Sequence, residues 1–460
     1  MNTMPQLTRN AMKAPTPEYV NALAAFVADL KFADLSRATV DHAVTTIRDT
    51  LGCMLAGARQ PDIAGLHGLA PQGETQATLV GARLRTSVEF AALANGIAGI
   101  SLELDEGNQF ALNHPAVHIL PAALATAEAF DRSGPDLIAA FVAGYDVASR
   151  VGRATHLRDA VHPFGTHAIV GAAAAVGKLR GFDRARLATA MLMAGGMALA
   201  SSQTAANAGA SVRNVVTGLT NANAVLACRL TEVGFNAEPE AFEVVFGKIL
   251  GDRFDPSQIG AGLADDYFIP RNYFKVHACS RWNHAPIEAA IAALQGRKLA
   301  LAEIAAVTVH TFDPAIRLHW PSPVNGYAAK HSIPYNVAVR ILRDDNGLNA
   351  YTDAVVADPD VRALARKVAV REDPAMTARL PAIRAARVEI TLVNGECLAA
   401  TVEQPPGGFD NPFPAEVLTE KFRRLAGIAL PPDRIAQLEE TIAALPTLKT
   451  ITLLGQALAG

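Results

Sequence analysis

Ala306-Val307-Thr308-Val309-His310-Thr311 alternates apolar and polar side chains with the period of two that a half-buried β-strand requires. Two further strands are read at Arg387 to Val393 and Glu396 to Val402, joined across Asn394-Gly395, a dipeptide that tolerates the positive φ of a tight hairpin. A helical stretch, Pro359 to Val368, intervenes. Sheet and helix in one block predict an α+β domain over residues 271–409, left through the linker Pro405-Pro406-Gly407-Gly408.

Upstream the period changes to that of a helix. Tyr19, Val20, Leu23, Phe26, Val27 and Leu30 recur at three- and four-residue steps, as do Val40, Val44, Ile47, Leu51 and Met54. The Ala/Gly-rich stretches Ile169 to Leu179 and Leu187 to Ala200 predict helices whose axes approach closely at the centre of a bundle. After the linker the helical stripe returns in Ala415 to Leu425 and Asp433 to Leu445 and needs a partner surface. The expectation is therefore a mainly α protein: an all-helical domain from residues 1–270, completed by residues 410–460, and a smaller α+β domain between them.

Composition bounds what such a protein does. At 460 residues the chain exceeds the usual size of one core. Half of it is hydrophobic and 18% charged, which excludes extended disorder and predicts a large buried fraction and a homo-oligomer. A net charge of −3, with no Lys/Arg run among aromatics, argues against a nucleic-acid partner. The N-terminal Met-Asn-Thr-Met-Pro-Gln-Leu-Thr-Arg-Asn lacks the apolar core of a signal peptide, so a cytoplasmic location is expected. Leu187 to Ala200 is interrupted by Thr189 and Gly195-Gly196 and falls short of the roughly 20 residues of a membrane span. Cys53, Cys228, Cys279 and Cys397 are scattered, so neither a metal nor a disulfide framework is expected.

Against this apolar background, residues 103–120 hold Glu103, Asp105, Glu106, His114 and His118. Such a cluster is either a cleft where acids and imidazoles exchange protons or a helix cap, with Asn113 and His114 preceding Pro115 at a first helical position. His162 lies ahead of an apolar helix and is either at a helix N-terminus facing a cleft or a packed imidazole. Lys275 sits amid Phe274, Val276 and Trp282, a setting for a neutral amine if buried, or for a lysine snorkelling to solvent. Arg281 suits a bidentate carboxylate clamp or a surface salt bridge. His277 and His284 share a helix face if that stretch is helical, but too few ligands accompany them for zinc.

The order of these motifs resembles the MmgE/PrpD family. The acidic segment and His-Pro are followed by His162-Pro163-Phe164-Gly165-Thr166 before a Gly-Ala helix, then Gly209-Ala210-Ser211-Val212-Arg213-Asn214. Tyr273 to His284, Ser332-Ile333-Pro334-Tyr335, and Asn411-Pro412-Phe413 with Leu418 and Lys421-Phe422 complete the collinear series. The resemblance implies a helical domain with an α+β lid, a dimer, no cofactor, and an inter-domain site for a small polycarboxylate. It carries over Glu103, His114, His162, Arg213, Lys275 and His284 as site residues, with Asp105 and Arg281 beside them. The family includes 2-methylcitrate dehydratases, cis-aconitate decarboxylases and an iminodisuccinate epimerase.

Two departures stand out. The signature, typically Asp-Phe-Asp-Asp-Thr, is here Glu103-Leu104-Asp105-Glu106-Gly107, without the Thr hydroxyl. Arg213 replaces a lysine of some members, and a permanently protonated guanidinium suits carboxylate clamping better than proton abstraction. The expectation is a metal-independent lyase dehydrating a 2-methylcitrate-like hydroxy acid, with His162 or Lys275 as proton acceptor, His114 as donor, and Arg213 with Arg281 on the carboxylates. Asp105 and His284 are further substrate contacts, and Glu103 joins the catalytic set. An iminodisuccinate-like epimerase, a cis-aconitate-type decarboxylase and, last, a non-catalytic scaffold are the alternatives.

Overall fold

The computed structural model describes residues 15–460; the N-terminal decapeptide read for targeting lies outside them. Helices of eight or more residues are numbered. The first eight are α1 Glu18–Asp29, α2 Arg37–Gly57, α3 Val88–Ser101, α4 Pro115–Ala129, α5 Gly134–Ala154, α6 Ala168–Leu179, α7 Arg184–Gly196 and α8 Val212–Glu232. Their stripes are the ones the periodicity gives: Val20, Leu23, Phe26, Val27, Leu30, Val40, Ile47, Leu51 and Met54 are all buried. Small residues do set a close crossing. A Cβ on Gly144 of α5 would lie 2.6 Å from the Gly171 carbonyl of α6, so these axes meet only because both positions lack a side chain.

One expected element is shorter. The Leu187 to Ala200 helix ends at Gly196, where two glycines weaken it. The chain then turns: Leu199 N–H donates to the Gly165 carbonyl (2.8 Å), and Ser201 pairs with His162 in a two-residue antiparallel ladder. Those residues, expected in a core helix, instead brace the His162 motif.

The α+β part adds α9 His284–Leu294, strand β1 Ile304–Thr311, α10 Ile333–Arg343, β2 Val368–Glu372, β3 Ala386–Leu392 and β4 Cys397–Val402. The sheet order is β4-β3-β1-β2, with β1 parallel to β2 and the other pairs antiparallel. Alternation in β3 buries Ala386, Val388, Ile390 and Leu392 on one face, and Gly395 turns the hairpin at φ 88°. α9 covers that face.

The tail supplies α11 Ala415–Ala426 and α12 Pro432–Ala443. Phe422, Ala426, Leu438 and Ile442 join the same apolar cluster as the first eight helices, while Leu425 joins the cluster built on the sheet, as do Cys53, Ala56 and Leu104. α11 therefore lies where the two cores meet, against α2. Lys421 is buried there, its ammonium donating to Asp49 Oδ1 (2.5 Å) and to the Leu104 carbonyl (2.6 Å). None of the described helices is long and apolar enough to cross a membrane.

Candidate active site

The acidic segment follows α3 as an irregular loop whose backbone is fixed at both ends. Gly107 exchanges hydrogen bonds with Tyr273 (3.1 and 2.8 Å), bringing the two halves of the chain together. A Cβ at Gly107 would lie 2.3 Å from the Tyr273 hydroxyl. The hydroxyl lost from the signature is thus replaced in space by a phenol from 166 residues downstream, and only glycine leaves room for it.

Each carboxylate of the segment has a different task. Glu106 is buried in the helical core, accepting from Ala116 N–H at the start of α4 (2.7 Å) and from the Tyr145 hydroxyl (3.0 Å). It is the helix cap, and burial pushes its pKa up to about 8. Asp105 accepts from His114 Nδ1–H (2.6 Å) and lies 3.5 Å from the Lys275 ammonium. Glu103, in the left-handed region at φ 56°, pairs with Arg213 and lies 3.7 Å from Lys275. Burial opposes ionisation of both, but Arg213 and then Lys275 hold Glu103 well below the usual carboxylate range, and Lys275 and then His114 hold Asp105 low.

This reverses the expectation for Lys275. It is fully buried, yet Asp105 and Glu103 outweigh desolvation and raise its pKa, so the amine is a cation locked beneath two carboxylates. It neither snorkels nor lines the cleft, and the two carboxylates favour its charged form over the neutral amine of a base.

His114, expected as the donor, instead presents the geometry of an acceptor. Because Asp105 takes its Nδ1–H, Nε2 carries the lone pair, 3.4 Å from the Tyr273 hydroxyl. Burial, only partly offset by Asp105, keeps the ring neutral. His114 also occupies the position before Pro115 where the helix starts, but its side chain makes no capping hydrogen bond.

His162 is not at a helix N-terminus; it sits in the short ladder, six residues before α6. Arg213 Nε–H donates to its Nε2 (3.2 Å), and burial with that guanidinium drives its pKa well below the ordinary value. A lone pair already engaged by an arginine is a weak base, so His162 orients Arg213. Phe164 of the same motif lies under the guanidinium (4.1 Å to the ring centre) and edge-on to His114 and His162. Arg213 also donates to the Tyr327 hydroxyl (3.0 Å), leaving Nη2 without a protein partner among the described residues.

Of two further expected substrate contacts, Arg281 lines the cleft but is already engaged, and His284 lies outside it. Arg281 donates to the carbonyls of Pro405 (2.9 Å) and Pro406 (2.8 Å) and stacks over Tyr273, which ties down the linker and uses the fork meant for a carboxylate. His284 lies behind Arg281, packed on His277, outside the cleft lining.

The cleft itself is about 1080 Å³ and lies between the helical and α+β parts. Five arginines line it (158, 213, 281, 317 and 384) against two acids, Glu103 and Asp159, so it attracts anions. Tyr273, Tyr327, His331 and Arg384 line or face it without having been assigned a role from the sequence. Tyr273 lay inside a quoted motif; Arg384 is in an Ala-rich loop with no local signal. No group of three His, Cys, Asp or Glu among the described residues converges to hold a metal.

Fold and site together define a two-core protein with an arginine-lined cleft at the junction. The chain matches the MmgE/PrpD N-terminal domain over residues 21–251 and the MmgE/PrpD C-terminal domain over residues 277–446, and it belongs to that family. It is 27% identical to a cis-aconitate decarboxylase of Aspergillus terreus, over 93% of each chain. It is 25% identical to the human cis-aconitate decarboxylase, covering 94% of this chain and 92% of that one. A 2-methylcitrate dehydratase of Cupriavidus necator is 33% identical over 148 residues, 30% of each chain. These relatives are lyases by name.

Proposed function

We propose that the protein is a lyase for a small di- or tricarboxylate and that it works by removing a proton alpha to a carboxylate, with dehydration of a 2-methylcitrate-like hydroxy acid as the reaction. The observation that carries this reading is the Asp105–His114 pair, whose Nε2, in only a long 3.4 Å contact with the Tyr273 hydroxyl, faces an arginine-rich cleft. His114 accepts the α-proton, Arg213 Nη2 holds the adjacent carboxylate as it gains enediolate charge, and hydroxide leaves the neighbouring carbon, taking the proton back from His114 as water. Lys275 keeps Asp105 and Glu103 ionised, which preserves the tautomer of His114.

Decarboxylation of a cis-aconitate-like substrate is the second reading, favoured by the relatives matched along nearly their whole length. The test is a panel of citrate, 2-methylcitrate, cis-aconitate, tartrate, malate and iminodisuccinate in deuterated water, followed by NMR. Dehydration yields an unsaturated acid absorbing in the ultraviolet, decarboxylation releases carbon dioxide, and an epimerase returns deuterated, inverted substrate. His114→Asn should lower kcat by at least about a hundredfold while ligand still binds. Turnover of no member of the panel, or near wild-type kcat in that variant, rejects the reading.

A further inference from the structure

Most cations near the base are already committed. Arg213 is paired with Glu103, Lys275 is held by two carboxylates, and Arg281 is spent on linker carbonyls. Arg384 differs. It is half-buried in the cleft wall, forms no ion pair among the described residues, and the ionisable group set against it is the Tyr273 phenol. A guanidinium removed from water without an acid leaves a desolvation cost that an anion would offset.

Its loop is also held in place. Two residues before Arg384, the Ala382 carbonyl accepts from Gln109 Nε2–H (3.1 Å) of the acidic segment and from Gln404 Nε2–H (2.9 Å) near the linker. The helical part thus fixes the position of an arginine that the α+β part supplies. The Tyr273 hydroxyl in turn stands 3.4 Å from His114 Nε2, so an anion on Arg384 would lie one side chain away from the base.

We propose that Arg384, with the Tyr273 hydroxyl, forms the subsite for a second carboxylate of the substrate. The inference rests on the polycarboxylate reading above and names the residue that makes a second carboxylate necessary. A planar fork holds that group bidentately, which positions the reacting carbon over His114.

Tricarballylate, a saturated tricarboxylate without a hydroxyl, is the probe, titrated calorimetrically into the full-length protein. Arg384→Ala should weaken its binding at least about tenfold, as expected for the loss of a hydrogen-bonded charge partner. Ethylguanidinium at millimolar concentration should restore part of the loss, which a structural role would not allow. Should the alanine variant fail to fold, Arg384→Gln keeps the side chain's polarity and much of its length and decides the same question. Wild-type affinity in the folded variant overturns this inference and leaves the function standing. Absence of tricarballylate binding to the wild-type protein overturns the polycarboxylate reading and this inference with it.

Discussion

Glu103, Asp105 and Glu106 stand within four positions of one another and read as one polar cluster, yet their environments give them separate chemistry. Glu106 is the clearest case, since burial lifts its pKa from 4.5 to about 8. The folded state therefore keeps a proton that the unfolded chain releases above about pH 4.5. Its contribution to stability is complete below that value and is lost as pH rises through about 8. Glu106→Gln, which stays neutral, should gain stability relative to wild type across that window, by at least about 1 kcal/mol at pH 8. Urea melts from pH 5 to 8.5 measure it, and a difference independent of pH contradicts it. The cluster was visible in the sequence, but its division was not, because Arg213, Lys275 and Tyr145, which assign the tasks, come from distant helices and loops. The same distance hid the replacement of a threonine hydroxyl by Tyr273.

Among elements, α11 contributes side chains to both apolar cores. Lys421 donates to Oδ1 of Asp49 of α2 and to the Leu104 carbonyl of the acidic segment from one buried ammonium. Lys421→Met should cost about 3 kcal/mol or more in urea unfolding, because a buried acid and a carbonyl lose their donor together. A loss under about 1 kcal/mol would show that water enters and replaces it. We propose further that residues 410–460 form one folding unit with the helical part, so a chain truncated at Pro406 should be insoluble or largely unfolded; a soluble, cooperatively melting product argues otherwise. The sheet and its hairpin were legible because period two and Asn-Gly are local signals. The end of α7 was not, since the pull on residues 199–201 comes from the His162 motif.

For the whole molecule, a ligand in the cleft contacts both cores, which already share α2 and α11. Tricarballylate at a hundred times its Kd should therefore raise the stability of the protein by about 2.7 kcal/mol in a single melting transition. Two transitions of which one moves would show that the cores unfold independently. Extensive EDTA treatment should leave turnover intact, since the proposed chemistry uses only side chains; loss restored by a divalent ion contradicts it. The contact between Lys421 and Leu104 spans 317 positions, and this separation has a temporal meaning. At roughly 5–20 residues per second, a ribosome needs about 15 to 60 s between making the two. His114, His162 and Arg213 are made in about the first third of that interval, while the clasp that steadies the acidic loop has yet to be synthesised. A chain stalled before residue 421 would thus display the cleft's side chains without the buried lysine that joins α11 to the acidic loop.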